Sequence, residues 1–365
     1  MKERGEKFSK METEPDRGSS LADKISREIN NPEFLEQLET FPDDIRDETV
    51  GQALQYLTIF KEEPNLGEYM EEVQDLSSER INSFRHEMGR SKIIIDHVAE
   101  KLGLGDVESM EDKNKIYEFI AENYIEDGYF FHGFSGVFEE SIQENGLDPS
   151  IRDWNREEMD RIEDICSNAG KRNILGWAHI NSEGNIFVGD EPNNIYRYAI
   201  ASPEWFNQFV AGGPHIRLDE PYDKKAYYKK DYEAARKNIE AFCDEMMSRD
   251  EKEIEKRKAY PNITKKEREE VLNFFEKYWE KLVKKDANPK CALVERKEID
   301  EDIVPYDSYE DYYKAQQEYG FSNPSIESAV NLLLSSDDID LGIDRKIDND
   351  SFVIVDLPEY KDVHK

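Results

Sequence analysis

Two kinds of hydrophobic spacing follow one another along the chain, and the change between them marks its organisation. From Leu21 to about Asn123 apolar side chains recur at three- and four-residue steps, as at Met70, Val73, Ile81, Phe84 and Met88, the period of one helix face. Gly103 and Gly105 close that run, which predicts an all-α region over residues 21–127. At Gly128 the pattern changes. Tyr129-Phe130-Phe131-His132-Gly133-Phe134 is short, aromatic and continuous, as in a buried strand. Ser135 is placed to cap the helix that follows. Glu139 and Glu140 sit in its positively polarised first turn, Phe138 and Ile142 share a face, and Asn145-Gly146 ends it.

A further strand is expected at Asn185 to Val188, then a helix carrying Ile195, Tyr198 and Ala199 on one side. Ser202-Pro203 opens another, with Trp205, Phe206, Phe209 and Val210, and Gly212-Gly213 closes it. Residues 223–286 read as an inserted helical hairpin broken at Tyr260-Pro261-Asn262. Ala235, Ile239, Phe242 and Met246 form one stripe, and Leu272, Phe275, Trp279 and Leu282 the other. Strands return at Cys291 to Val294 and Phe352 to Val355, with polar helices near Tyr309–Gln317 and Ser325–Leu334 between them; the acidic stretch Ser335 to Asp340 reads as a solvated loop. Residues 1–20 carry almost nothing apolar and read as a disordered tail, unable to offset their own ordering entropy. The expected fold class is α+β: a mixed domain over residues 128–365, preceded by the helical region.

Composition narrows the function classes. At 365 residues the chain is long enough for two domains, and 19 Tyr, 18 Phe and 4 Trp supply core material although the hydrophobic fraction is 37%. Eighty-three acidic against 49 basic side chains leave a formal charge of −34, a field that repels nucleic-acid phosphates and anionic membranes. Non-specific nucleic-acid binding is therefore not expected. Cys166, Cys243 and Cys291 are far apart and without CxxC spacing, and His86, His97, His179 and His215 lack partners at ligand spacing, so no metal is expected. The N-terminus lacks an apolar run and nothing approaches membrane-spanning length, which points to the cytoplasm.

Two segments carry a resemblance. Phe131-His132-Gly133-Phe134-Ser135, with Ile142 and Asn145-Gly146-Leu147 after it, resembles the HG-(S/T) strand and the helix ending in a GL pair that open the catalytic domain of ADP-ribosyltransferases of the His-Tyr-Glu group. Gly184-Asn185-Ile186-Phe187-Val188-Gly189-Asp190, continuing to Tyr196-Arg197-Tyr198-Ala199, resembles the aromatic block of the same group, and Phe187 and Tyr198 stand eleven positions apart as its nicotinamide-holding rings do. The resemblance implies a split-sheet domain with NAD as substrate and nicotinamide as product. His132 would bond the ribose, Gly133 would admit the carboxamide to the backbone, and Phe134 and Ser135 would complete the NAD-binding run. It also implies a carboxylate opening a late strand written like E-Y-I-V-Y-D. Here Ser351-Phe352-Val353-Ile354-Val355-Asp356 puts Ser351 in that place with Asp350 just before it, so Asp350 or Glu298 takes the role, or activity is lost.

The expected activity is mono-ADP-ribosyl transfer to a macromolecular acceptor, protein foremost. The family's chain elongation depends on the Glu that is missing. A silent, acidic interaction protein that keeps the fold is the alternative. NAD-dependent removal of a 2′-phosphate from RNA is the third, disfavoured by the charge and by few Arg and His near His132.

Overall fold

The computed structural model describes residues 20–41, 43–61, 66–71, 83–151, 155–170, 186–189, 199, 232–247, 261–280, 288–299, 304–334 and 341–358. The strands among them are β1 (Tyr129–Ser135), β2 (Ile186–Val188), β3 (Pro289–Glu295), β4 (Leu341–Ile343) and β5 (Phe352–Asp356). β1, β3 and β5 form one antiparallel sheet in that order, and β2 pairs antiparallel with β4 in a second. The fold is thus mixed and mostly helical, with small antiparallel sheets.

Register sets what each face of the larger sheet meets. His132 lies level with Ala292 on β3 and Ile354 on β5, and Phe130 with Val294 and Phe352. Alternation then sends Phe131, Cys291, Leu293 and Val355 into a helical core, while Phe130, Phe134, Ala292, Val294 and Phe352 pack with Ile186, Val188 and Ile343 of the second sheet. Both faces are covered, which is why the β1 run is continuous and not alternating.

The helical face is built from both ends of the chain. Helices α1 (Leu21–Ile29), α2 (Pro32–Leu38), α3 (Asp43–Ile59), α4 (Ser83–Lys101) and α5 (Met110–Ile120) precede β1. Ser20 starts α1 through a capping box with Asp23, which lays Ile25 and Ile29 fully buried against the core. Asn30, just beyond α1, donates its side-chain amide to the Asp356 carbonyl at 3.1 Å, tying the first helix to the last strand. One buried cluster runs from Ile25 through Phe131 and Leu333 to Leu357, so helical region and sheet share a core.

After β1 come α6 (Glu139–Asn145), α7 (Arg156–Asn168), α8 (Tyr232–Met247), α9 (Lys265–Tyr278), α10 (Tyr309–Glu318) and α11 (Ile326–Leu334). Within the segment expected to form a hairpin, α8 and α9 run antiparallel: the Ile263 amide donates to Met246 O at 3.1 Å near one end and Tyr232 to Glu276 at 3.1 Å near the other. α7, a helix not expected from the sequence, joins them by burying Met159, Ile162, Ile165 and Cys166, and Arg161 pairs with Glu270 on α9 at 3.0 Å. Residues 325–334, expected to form a polar helix, are instead an apolar one: Ile326, Ala329, Val330, Leu333 and Leu334 are buried because α11 runs against α4 and α5. The tail, the Tyr198 and Trp205 segments, the hairpin break at Tyr260 and the acidic loop at 335–340 lie outside the described residues, apart from Ala199, which is helical and buried in the helical core, and Pro261 and Asn262, which lead into α9. No described helix is long and apolar enough to cross a membrane.

Candidate functional site

Among the described residues the backbones of the two sheets are bridged at one pair. Phe131 N–H donates to Gly189 O at 2.8 Å, and Gly189 N–H returns a bond to Phe131 O at 3.0 Å. In an antiparallel ladder the next such pair would join Gly133 to Phe187, two residues on along each strand. The strands part instead. His132 Nδ1 reaches across and bonds the Phe187 carbonyl at 2.8 Å, taking the acceptor that a continued ladder would have used.

The parting leaves the Gly133 edge of β1 without a described backbone partner. Backbone groups of alternate strand residues point the same way, so the Gly133 N–H and C=O face β2 as those of Phe131 do. No described residue pairs with them on that side. Gly133 is thus a donor and an acceptor side by side, with no Cβ to keep a ligand off the backbone.

The same bond sets the protonation of His132. A carbonyl only accepts, so Nδ1 carries the hydrogen and, in the neutral ring, Nε2 keeps its lone pair. Burial pushes the imidazole below its ordinary value of 6.5, opposed more weakly by the bond to Phe187. The folded chain therefore resists protonation there. This contribution to stability is present above the ordinary value and is lost as pH falls through the folded one. Between about pH 7.5 and about pH 5.5 wild type should lose more of its urea midpoint than His132→Asn, and equal losses would show that His132 is not held neutral.

Phe134 and Ser135, also expected at the NAD site, have defined places in the frame. Phe134 is 3% exposed in the core between the sheets, with its ring stacked on His132 at 6.1 Å between centroids. Ser135 Oγ accepts from Val137 N–H at 3.4 Å, capping the short 3-10 turn Gly136–Phe138, and α6 follows with Glu139 and Glu140 in its first turn. Phe187 lies between Ile186 and Val188, both buried, and alternation turns its half-buried ring to the other side of β2. Gly342 of β4 stands opposite and presents no side chain beside that ring. Tyr198 is outside the described residues.

The two candidate carboxylates are not brought to His132. Asp350 is exposed on the turn that Ser351 N–H closes to Asp348 O at 3.0 Å, just before β5. His132 is level with Ile354, so Asp350 is four residues off in register with β3 between: about 13 Å along the strands and about 10 Å across them. Glu298 belongs to the 3-10 turn after β3, beyond the Tyr129 start of β1, where its carbonyl accepts from the Arg345 guanidinium. The strand beside β2 is β4. Its three residues with a central glycine carry no alternation by which sequence could reveal it. Gly189 and Gly342 are likewise contributors that spacing did not single out; for Gly189 the available signal was its place directly after the β2 run.

Among the described residues no group of three His, Cys, Asp or Glu side chains is gathered to hold a metal ion. Comparison with known proteins finds no match to this chain among family models, curated proteins or solved structures.

Proposed function

We propose that the chain binds NAD where β1 and β2 part and releases nicotinamide, transferring a single ADP-ribosyl group to a macromolecular acceptor, protein foremost. The observation that carries this reading is the pairing of the outward-facing Gly133 amide and carbonyl with the neighbouring His132 imidazole. A primary carboxamide offers one acceptor and two donors, the complement of that backbone edge. The Nε2 lone pair beside it accepts from a hydroxyl, as a ribose provides. Two small antiparallel sheets, bridged backbone to backbone at Phe131 and Gly189, are compatible with the split sheet that the resemblance implies.

Phe187 supplies one flat surface for the leaving ring, and Tyr198, eleven positions on, is assigned the second. Breaking the nicotinamide–ribose bond develops positive charge on the sugar, so a rigid grip on both ring and ribose lowers the barrier by fixing their orientation. Asp350 and Glu298 remain the carboxylates suggested by sequence. Their distance from His132 favours a second reading, a fold that holds NAD without cleaving it and acts as an acidic interaction protein.

The test is the purified chain with millimolar NAD, following free nicotinamide and the melting temperature together. Release supports the transferase, while stabilisation without release supports the silent binder. Neither effect would remove NAD from consideration. Release that persists in Asp350→Asn and in Glu298→Gln would assign the carboxylate to another residue.

A further inference from the structure

The α10–α11 turn displays two aromatic rings that the fold does not use. Tyr319 is 79% exposed and Phe321 61%, and every residue from Gln317 to Asn323 is exposed. The backbone that carries the rings is hydrogen-bonded. Phe321 N–H donates to Gln316 O and Gly320 N–H to Gln317 O, both at 3.0 Å, with Gly320 at φ 95: the two bonds and the left-handed residue of a Schellman cap. That cap ordinarily adds an apolar contact between the residue after the glycine and the helix's third-last position. Here the third-last residue is Gln316, and Phe321 stays in solvent. The rings are therefore held in place by the backbone and bury little of their own surface, an arrangement that costs hydrophobic energy unless something covers them.

The surroundings select the partner by charge. The last turn of α10 has no basic residue, leaving its carbonyl end, with its partial negative charge, uncompensated beside the exposed Glu318. Lys314, the last basic residue before Arg345, is already paired with Glu310 at 2.7 Å. Two open ring faces next to acidic groups attract lysine and arginine side chains. The same field repels an anionic bilayer, and it repels a second copy of a chain carrying −34.

We propose that the Tyr319-Gly320-Phe321 turn is a docking site for a basic polypeptide segment, with the two rings taking Lys or Arg side chains. The site lies on the helical side of the sheet, where α10 and α11 pack, so it stands independently of NAD chemistry.

The experiment titrates full-length protein into a fluorescein-labelled peptide of alternating Lys and Ala at physiological salt, comparing wild type with Tyr319→Ser/Phe321→Ser. The double variant keeps every charge, so loss of binding reports the rings. Its Kd should rise at least about tenfold, the scale of two exposed cation–π contacts, with the melting temperature unchanged. Equal affinities, or a wild type that does not bind, would overturn the site. So would a variant whose only defect is lost binding to phosphatidylserine vesicles or lost self-association in sedimentation, since those outcomes assign the rings to a membrane or to a second copy.

Discussion

His132→Ala is expected to slow nicotinamide release from NAD by at least about a hundredfold, the scale that loss of one orienting contact costs when reacting groups must be held in register. The substitution removes two things at once. It deletes the Nε2 lone pair proposed to hold the ribose, and it frees the Phe187 carbonyl from its 2.8 Å bond, loosening β2 against β1. His132→Asn separates them. Its side-chain amide stands close to where Nδ1 stood and still donates to Phe187 O, but nothing replaces Nε2. The Asn variant should therefore melt near wild type yet release nicotinamide as poorly as the Ala variant. An Asn variant with wild-type turnover would reduce His132 to a structural clamp between the sheets and would remove the ribose contact from the mechanism.

Gly128→Ala should cost at least about 3 kcal/mol of unfolding free energy, the cost of a severe backbone clash. Gly128 follows a six-residue π-helical turn, Ala121–Glu126, that delivers the chain from α5 into β1. A Cβ at Gly128 would lie 1.5 Å from the Tyr124 carbonyl oxygen and 2.7 Å from its carbon, both backbone atoms. Neither side can yield cheaply. Tyr124 and Ile125 are buried at 0% and 3% exposure, and the Gly128 carbonyl accepts from Arg296 N–H at 3.1 Å where β1 enters the sheet. Gly105→Ala is the control, since nothing lies within 4 Å of its added carbon and its φ is not left-handed. Urea unfolding of the pair decides the matter. A Gly128→Ala protein within about 1 kcal/mol of wild type would mean that the π turn relaxes freely.

The consequences of Gly128 and His132 differ in how far sequence could anticipate them. Gly128 marks the change of hydrophobic period, so its place at the start of a strand was legible. The clash that makes it irreplaceable depends on a π turn, which no local pattern encodes. His132 was legible as a candidate through its neighbours Gly133, Phe134 and Ser135. Its partner, the Phe187 carbonyl 55 residues away, was not, because a backbone oxygen carries no residue-type signal.

By itself the sequence determined the pieces whose physics is local. Periods and helix-ending residues specify α6, α10 and the pair α8 and α9; short apolar runs specify β1, β2, β3 and β5. The resemblance carried by two motif segments put forward His132, Gly133 and Phe187 as candidates. Tertiary structure decided what depends on pairing across long separations. It put three-residue β4 beside β2, turned α11 into a core helix and placed α1 against the last strand. It also set Asp350 two strands and four register positions from His132, although both lie in recognisable motifs. Local propensity acts over a few residues, whereas register and strand order follow from covering both faces of one sheet at once, and that condition is met only by the whole chain.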